Sequence, residues 1–504
     1  VTNPLTQLKR RLEDITSLQQ AGNLLGWDQQ TYMPPGAVES RARQLGVIGK
    51  LAHAMFVADE TGALLEQSAA ALGGNGHAYD SDDASLVRVT RRDYDQSRKL
   101  PTEFVEELLR VTTLAHEVWA KARAENDFKS FAPVLEQIVA LKQREADYRG
   151  YQDDPYDALL DSYEPGVKTA DVAAMFADLR RELVPLVAAI SERLDAVSDA
   201  PLHQPFDEDK QRTFAEMVIR QFGYDFNRGR QDRAVHPFCI NFSRDDVRIT
   251  TRYDPNWLNP ALFGTLHEAG HGMYEQGSDQ ALEGSPLAGG TSLGVHESQS
   301  RLWENIVGRS RGFWTHFYPK LQALFPAQLG GVELEAFYRA INKVTPSFIR
   351  VEADEVTYNL HIMVRFEIEI ELLAGRLKVA DLPEVWNAKY HEYLGITPPT
   401  DTLGVLQDIH WSGGMIGYFP TYSIGNLLSA QLYEKALEAH PTIPVEIARG
   451  EFGTLLGWMQ QHIYRHGRKF QPRELIERAT GEPMHARAYM RYLKAKYGEI
   501  YGLD

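Results

Sequence analysis

The chain is poor in cysteine: Cys239 stands alone in 504 residues. That excludes an intrachain disulfide framework and suits a reducing compartment. No apolar run reaches the roughly 20 residues a transmembrane helix needs. The opening stretch, VTNPLTQLKRRLEDI, is charged and amphipathic, unlike the apolar core of a signal peptide. Positive charge is scarce as well. With 53 Lys and Arg against 69 Asp and Glu, the formal charge is -16, which argues against nucleic acid or an anionic membrane as partner. No repeat of solenoid period stands out. The expectation is a soluble, acidic, cytoplasmic protein with length enough for a large core.

What is present centres on Leu262 to Gln276, LFGTLHEAGHGMYEQ. Its apolar spacing predicts a helix, with Asn259 as N-cap, Pro260 in the first turn and Gly277 at the end. His267, Glu268 and His271 form an HExxH pattern on it. Residues four apart share a helix face, so both imidazoles can reach one ion, with Glu268 beside it as a proton acceptor. At this composition a His-acid-x-x-His pattern is expected only roughly 0.07 times per chain. Ordinary core or surface histidines are the bland alternative.

A third ligand is expected on a second helix, residues 292–307, capped by Ser292. Glu297 is the candidate, with His296 and Glu304 as competitors that also suit an outer shell or a solvated face. Two histidines and a glutamate leave a fourth position open, as catalytic zinc requires. Cobalt or manganese can replace zinc in such an N/O set.

Along the rest of the chain helical periodicity dominates. Helices are expected over 5–25, from Val38, and over 84–99, 102–126, 131–149, 170–197 and 208–222, with a breaker at Trp27–Gly36 and a flexible connection at Gly73–Asp83. Near residue 232 the period changes. Alternation about the turn Ser243–Asp246 predicts a β-hairpin whose edge can hold an extended peptide. His236 and Arg248 there are candidate substrate contacts, against a turn histidine and a hairpin salt bridge. Thr345–Pro346–Ser347 should open a helix to about Leu373. Arg350 on it is either an ion-pair partner of Asp354 or a planar fork for a carboxylate. Residues 404–422 read as a Gly- and aromatic-rich loop entering a helix near Pro420. From it His410, Tyr418 or Tyr422 can face the metal and stabilise an oxyanion; packing aromatics are the alternative. The remainder reads as helix.

The motifs His236-Pro237-Phe238, Asp246–Thr250, His267–His271, His296-Glu297-Ser298, Ile349–Asp354 and Gly404–Trp411, with the WDxxTxMP stretch from Trp27, resemble those of the carboxypeptidase Taq family of metallocarboxypeptidases. The resemblance spans essentially the whole chain. It implies a mainly α fold, a large helical peptidase with a deep active-site groove and a small sheet beside the zinc helix, similar in layout to neurolysin and angiotensin-converting-enzyme type peptidases. It implies one catalytic unit over 1–504, in which 1–230 form a helical groove wall and 231–504 bind metal and substrate. His267, His271 and Glu297 would hold zinc, and Glu268, His410 and Tyr422 would be catalytic, with Tyr418 in reserve. His236 and Arg350 would hold the substrate's C-terminal carboxylate. Peptides are the implied substrates, and a homodimer the implied assembly. Two other readings are an oligopeptidase that cuts internal bonds and, remotely, a non-catalytic peptide-binding protein.

Overall fold

The computed structural model describes residues 3–73 and 78–503. Its first helix runs Pro4–Thr31, opened by Asn3, whose side chain accepts from the Leu5 amide at 2.9 Å, with Pro4 at the first position. The expected breaker acts later than predicted. Trp27 to Thr31 remain helical, Trp27 is buried beneath the Arg248 guanidinium at 4.3 Å, and the chain turns only at Met33-Pro34-Pro35. Helices Val38–Val57, Asp82–Arg98, Thr102–Glu125, Phe128–Arg149, Thr169–Ser191 and Glu208–Phe222 follow close to the expected positions. Within the expected connection Gly73–Asp83, residues 74–77 lie outside the described residues.

Leu8, Leu12, Ile15, Leu65 and Leu86 close a small core among the first helices. A second, continuous core extends from Trp119 to Tyr501, so the helices after residue 119 pack with the C-terminal half.

The predicted hairpin is present as β2, Cys239–Ser243, and β3, Asp246–Thr251. A strand not foreseen, β1, Gly229–Arg233, pairs in parallel with β3, giving the order β1-β3-β2. Its sequence, GRQDR, carries no apolar alternation. It joins because Gly229 approaches so closely that a Cβ there would lie 2.2 Å from the Val247 carbonyl oxygen.

The sheet backs the helix Asn259–Gln276. Asn259 does not cap it: Leu258 holds the cap position, and Asn259 Oδ1 is buried without a hydrogen-bond partner among the described residues. The next helix, Leu293–Arg301, is capped as expected, Ser292 Oγ accepting from Val295 N at 3.1 Å. It continues as a π-helical turn over Leu302–Val307. A Cβ on Gly270 would lie 2.6 Å from Gln299 O, and one on Gly425 would lie 2.4 Å from Glu297 Cγ. These two glycines let the Glu297 helix sit against both the HExxH helix and the helix Pro420–Ala439.

The helix expected from Thr345 begins only at Tyr358 and ends at Leu373. Two side chains take the backbone groups that would have propagated it. Asp354 Oδ1 accepts from Val356 N and Thr357 N, each at 3.0 Å, and Gln407 bridges Arg350 N and Phe348 O, each at 2.8 Å. Apart from the irregular segment 395–419, the remaining chain is mainly helical to Tyr501. No helix among the described residues is long and apolar enough to cross a membrane.

Candidate metal centre

His267 and His271 project from one face of their helix, and Glu297 meets them from the neighbouring one. His267 Nε2 and His271 Nε2 lie 3.6 and 3.5 Å from Glu297 Oε2, and the three ligand atoms fall within 4.8 Å of one another. Ligands held tetrahedrally at about 2.1 Å from one ion are about 3.4 Å apart, so the spacing fits.

The far side of each ring is held. His267 Nδ1 donates to Glu304 Oε2 at 2.9 Å. His271 Nδ1 lies 2.5 Å from His296 Nδ1, and His296 Nε2 donates to Glu275 Oε1 at 2.7 Å. In both cases the proton sits on Nδ1 and the Nε2 lone pair faces the centre. Arg301 holds the other oxygen of Glu297, Nε to Oε1 at 2.7 Å, and reaches Glu304 at 3.2 Å. Thus His296 and Glu304, both weighed as ligands, stand behind the ligand set in this geometry. Nothing in the sequence marks Glu275 for this role, and Arg301 is marked only by standing one helical turn after Glu297.

Burial pushes His271 down to about 3, and His296 adds to the effect, which keeps the imidazole neutral as a ligand must be. For His267 burial opposes charge, but Glu297 and Glu304 outweigh it and raise its pKa. Glu297 is lowered despite burial, chiefly by Arg301 and His267. Glu268 is 6% exposed, and burial raises it to about 7. Its carboxylate makes no hydrogen bond among the described residues, so its oxygens remain available. A cation alongside would favour the ionised form.

The candidates of the 404–422 segment form a cluster of their own. His410 Nε2 lies 3.4 Å from Tyr422 Oη, and Tyr418 packs against both rings. Burial lowers His410 to about 4, so it is neutral near pH 7. The segment is clamped by Glu369, which accepts from Trp411 Nε1 at 2.8 Å, Gly417 N at 3.0 Å and Tyr156 Oη at 2.7 Å. Neither Glu369 nor Tyr156 carried a signal in the sequence, since each reads as an ordinary helix residue.

Arg350 does not pair with Asp354. Its Nε and Nη2 donate to Asp408 Oδ1 at 2.9 and 2.8 Å, while Arg365 takes the other oxygen at 2.6 Å. Nη1 reaches Tyr358 Oη at 3.1 Å, and the Tyr358 ring lies under Arg301. Arg248 forms the hairpin pair, two bonds of 2.8 Å to Asp246, and stacks on Trp27 and Phe242. His236 is exposed and lines, with Arg350, Tyr422 and Arg252, a cavity of about 850 Å³. Arg252 has no ion pair or hydrogen bond among the described residues.

Comparison with known proteins agrees across the chain. Residues 7–497 match the model of the carboxypeptidase Taq (M32) metallopeptidases. The chain is 42% identical to thermostable carboxypeptidase 1 of Thermus thermophilus, covering 99% of this chain and 98% of that one. It is 39% identical to carboxypeptidase 1 of Bacillus subtilis, over 97% of each. The crystal structure of an M32 carboxypeptidase from Deinococcus radiodurans superposes with a TM-score of 0.95 at 44% identity, over 99% of both chains.

Proposed function

The chain belongs to the carboxypeptidase Taq (M32) metallopeptidase family and is a metallocarboxypeptidase, and on that premise we propose that it uses zinc, held by His267, His271 and Glu297, to release C-terminal residues from peptides with broad specificity. The observation that supports this most is the convergence of three ligand atoms whose outer partners leave both Nε2 lone pairs facing inward. Cobalt and manganese suit the same N/O donors.

When bound, the ion supplies Lewis-acid polarisation of the scissile carbonyl and lowers the pKa of water. Glu268 takes the proton of the attacking water and passes it to the departing amine. His410 and Tyr422 donate to the oxyanion, with Tyr418 next in line, an arrangement similar to that of the helical oligopeptidases and angiotensin-converting-enzyme type peptidases. His236 and Arg350 both line the larger cavity and are the groups for the terminal carboxylate, Arg350 through the Nη1 edge it shares with Tyr358, since Asp408 takes its Nε and Nη2; the same cavity exposes Arg252, and Arg248 supports the sheet wall. Residues 231–504 bring metal and substrate together, and 1–230 supply the wall. A homodimer suits the exposed Val38, Val47 and Leu51 on one helix, and a cytoplasmic setting suits the lone cysteine.

Peptides with free and amidated C-termini test the reading, with and without a chelator. Release of the last residue from the free peptide only, lost on chelation and recovered with zinc, is expected. Internal cleavage of both peptides would establish an oligopeptidase instead.

A further inference from the structure

Two cavities flank the candidate metal centre, each lined by the groups that stand behind a different imidazole. The larger is lined by Glu304 and Arg301, which hold His267 and Glu297. The second, about 610 Å³, is lined by His296 and Glu275, which stand behind His271. It is also lined by Tyr163, whose ring meets Tyr418 at 5.2 Å between centroids. His267 and His271 are one helical turn apart, so a peptide laid across both imidazoles would have one cavity towards each end. With its C-terminal residue in the first, its upstream residues occupy the second. This polarity rests on the carboxypeptidase reading.

Charge in the second cavity is mostly closed on itself. Arg92 pairs with Asp161 at 2.7 Å and Arg468 with Asp93 at 2.9 Å. Arg149 is different. Its Nε donates to Glu145 at 2.8 Å, but Glu145 is also held by Lys142 at 2.5 Å. The two terminal nitrogens of Arg149 donate to no protein group among the described residues, and its side chain is only 19% exposed. The side chains of Gln96, Ser97 and Ser162 on the same wall make no hydrogen bond among the described residues either.

We propose that the second cavity binds the residues upstream of the scissile bond and that Arg149 selects an acidic side chain there. The free edge of a guanidinium matches a carboxylate with two parallel donors, and partial burial limits screening of the pair. Neither Arg149 nor this cavity takes part in the hydrolytic step, so the effect falls on substrate choice.

The test is a series of short peptides with a constant C-terminal residue, in which Glu or Gln is placed in turn at the second, third and fourth positions before the scissile bond. The ratio of kcat/KM for the Glu and Gln peptides is measured in the wild type, Arg149→Met and Arg149→Lys. At one position the wild type should favour Glu by about threefold to tenfold. The ratio should fall to about one in Arg149→Met and keep part of its value in Arg149→Lys. Because each ratio is internal to one enzyme, a general loss of activity cancels. A wild-type ratio of one at every position, or a preference unchanged in Arg149→Met, overturns the assignment. Failure of the wild type to release the last residue of the Gln peptides would instead fell the carboxypeptidase reading, and this proposal with it.

Discussion

The metal centre and the Asp408 cluster are both buried groups of charge built on a carboxylate with arginine at its side, yet they are finished differently. Asp408 has each oxygen filled by a guanidinium, from Arg350 and from Arg365, and Gln407 closes the backbone around them. At the metal centre only the outer halves are closed. Glu297 Oε1 takes Arg301, whereas Oε2 faces the two Nε2 atoms at 3.6 and 3.5 Å. Buried polar groups are nearly always satisfied, so the first cluster reads as a closed brace that fixes Arg350 in place and the second as a place for an ion. Tyr358 links the two, bonded to Arg350 and lying under Arg301.

Substitutions can break this contrast. Glu268→Gln should reduce kcat about 10²- to 10⁴-fold while metal analysis still finds wild-type content, because in the proposed mechanism the residue moves a proton and holds no ion. A fully active variant would remove Glu268 from the chemistry. Asp408→Asn should act on the other side of the comparison. It leaves two buried guanidinium groups without their anion and should cost about 3 to 5 kcal/mol in urea unfolding. Preserved stability would mean the cluster is not closed as described.

Smaller changes sharpen it. Glu304→Gln keeps the shape behind His267 but weakens its hold, so metal affinity should drop about 10- to 100-fold in a competition titration. A further test concerns Glu164, whose Oε1 accepts from the amide of Gly294 at the start of the Glu297 helix and whose Oε2 is buried without a partner among the described residues. Burial raises it from 4.5 to about 8. The folded state therefore keeps a proton that the unfolded chain has released. The stability this contributes is complete below about pH 4.5 and is lost as pH rises through about 8. Glu164→Gln should flatten that part of the profile, read as a smaller difference between urea midpoints at mildly acid and mildly alkaline pH.

Several of these groups are legible in the chain because short spacing creates them. HExxH puts two imidazoles one turn apart on any helix, and Ser292 announces the helix that bears Glu297. The helical wall is equally plain, since apolar side chains recur at helical spacing. Other features depend on partners far away in sequence. Strand β1 has no alternation of its own and exists through its pairing with β3. The helix expected from Thr345 is replaced by an irregular run because Gln407 and Asp354 satisfy that backbone. Arg350 and Asp354 look like a helical ion pair only while that helix is assumed.

The linear order of residues was enough to specify which atoms can bind an ion and which carboxylate stands beside them, because those relations repeat within a turn or two of helix. It could not specify which of Glu297, His296 and Glu304 would face the histidines. Their rotation about the helix axis is set by the close approaches at Gly270 and Gly425. Nor could it say that Arg350 would be claimed by Asp408 while the ends of Arg149 stayed free. A charge's partner depends on what long-range packing brings within about 3 Å, and local periodicity carries no record of that distance.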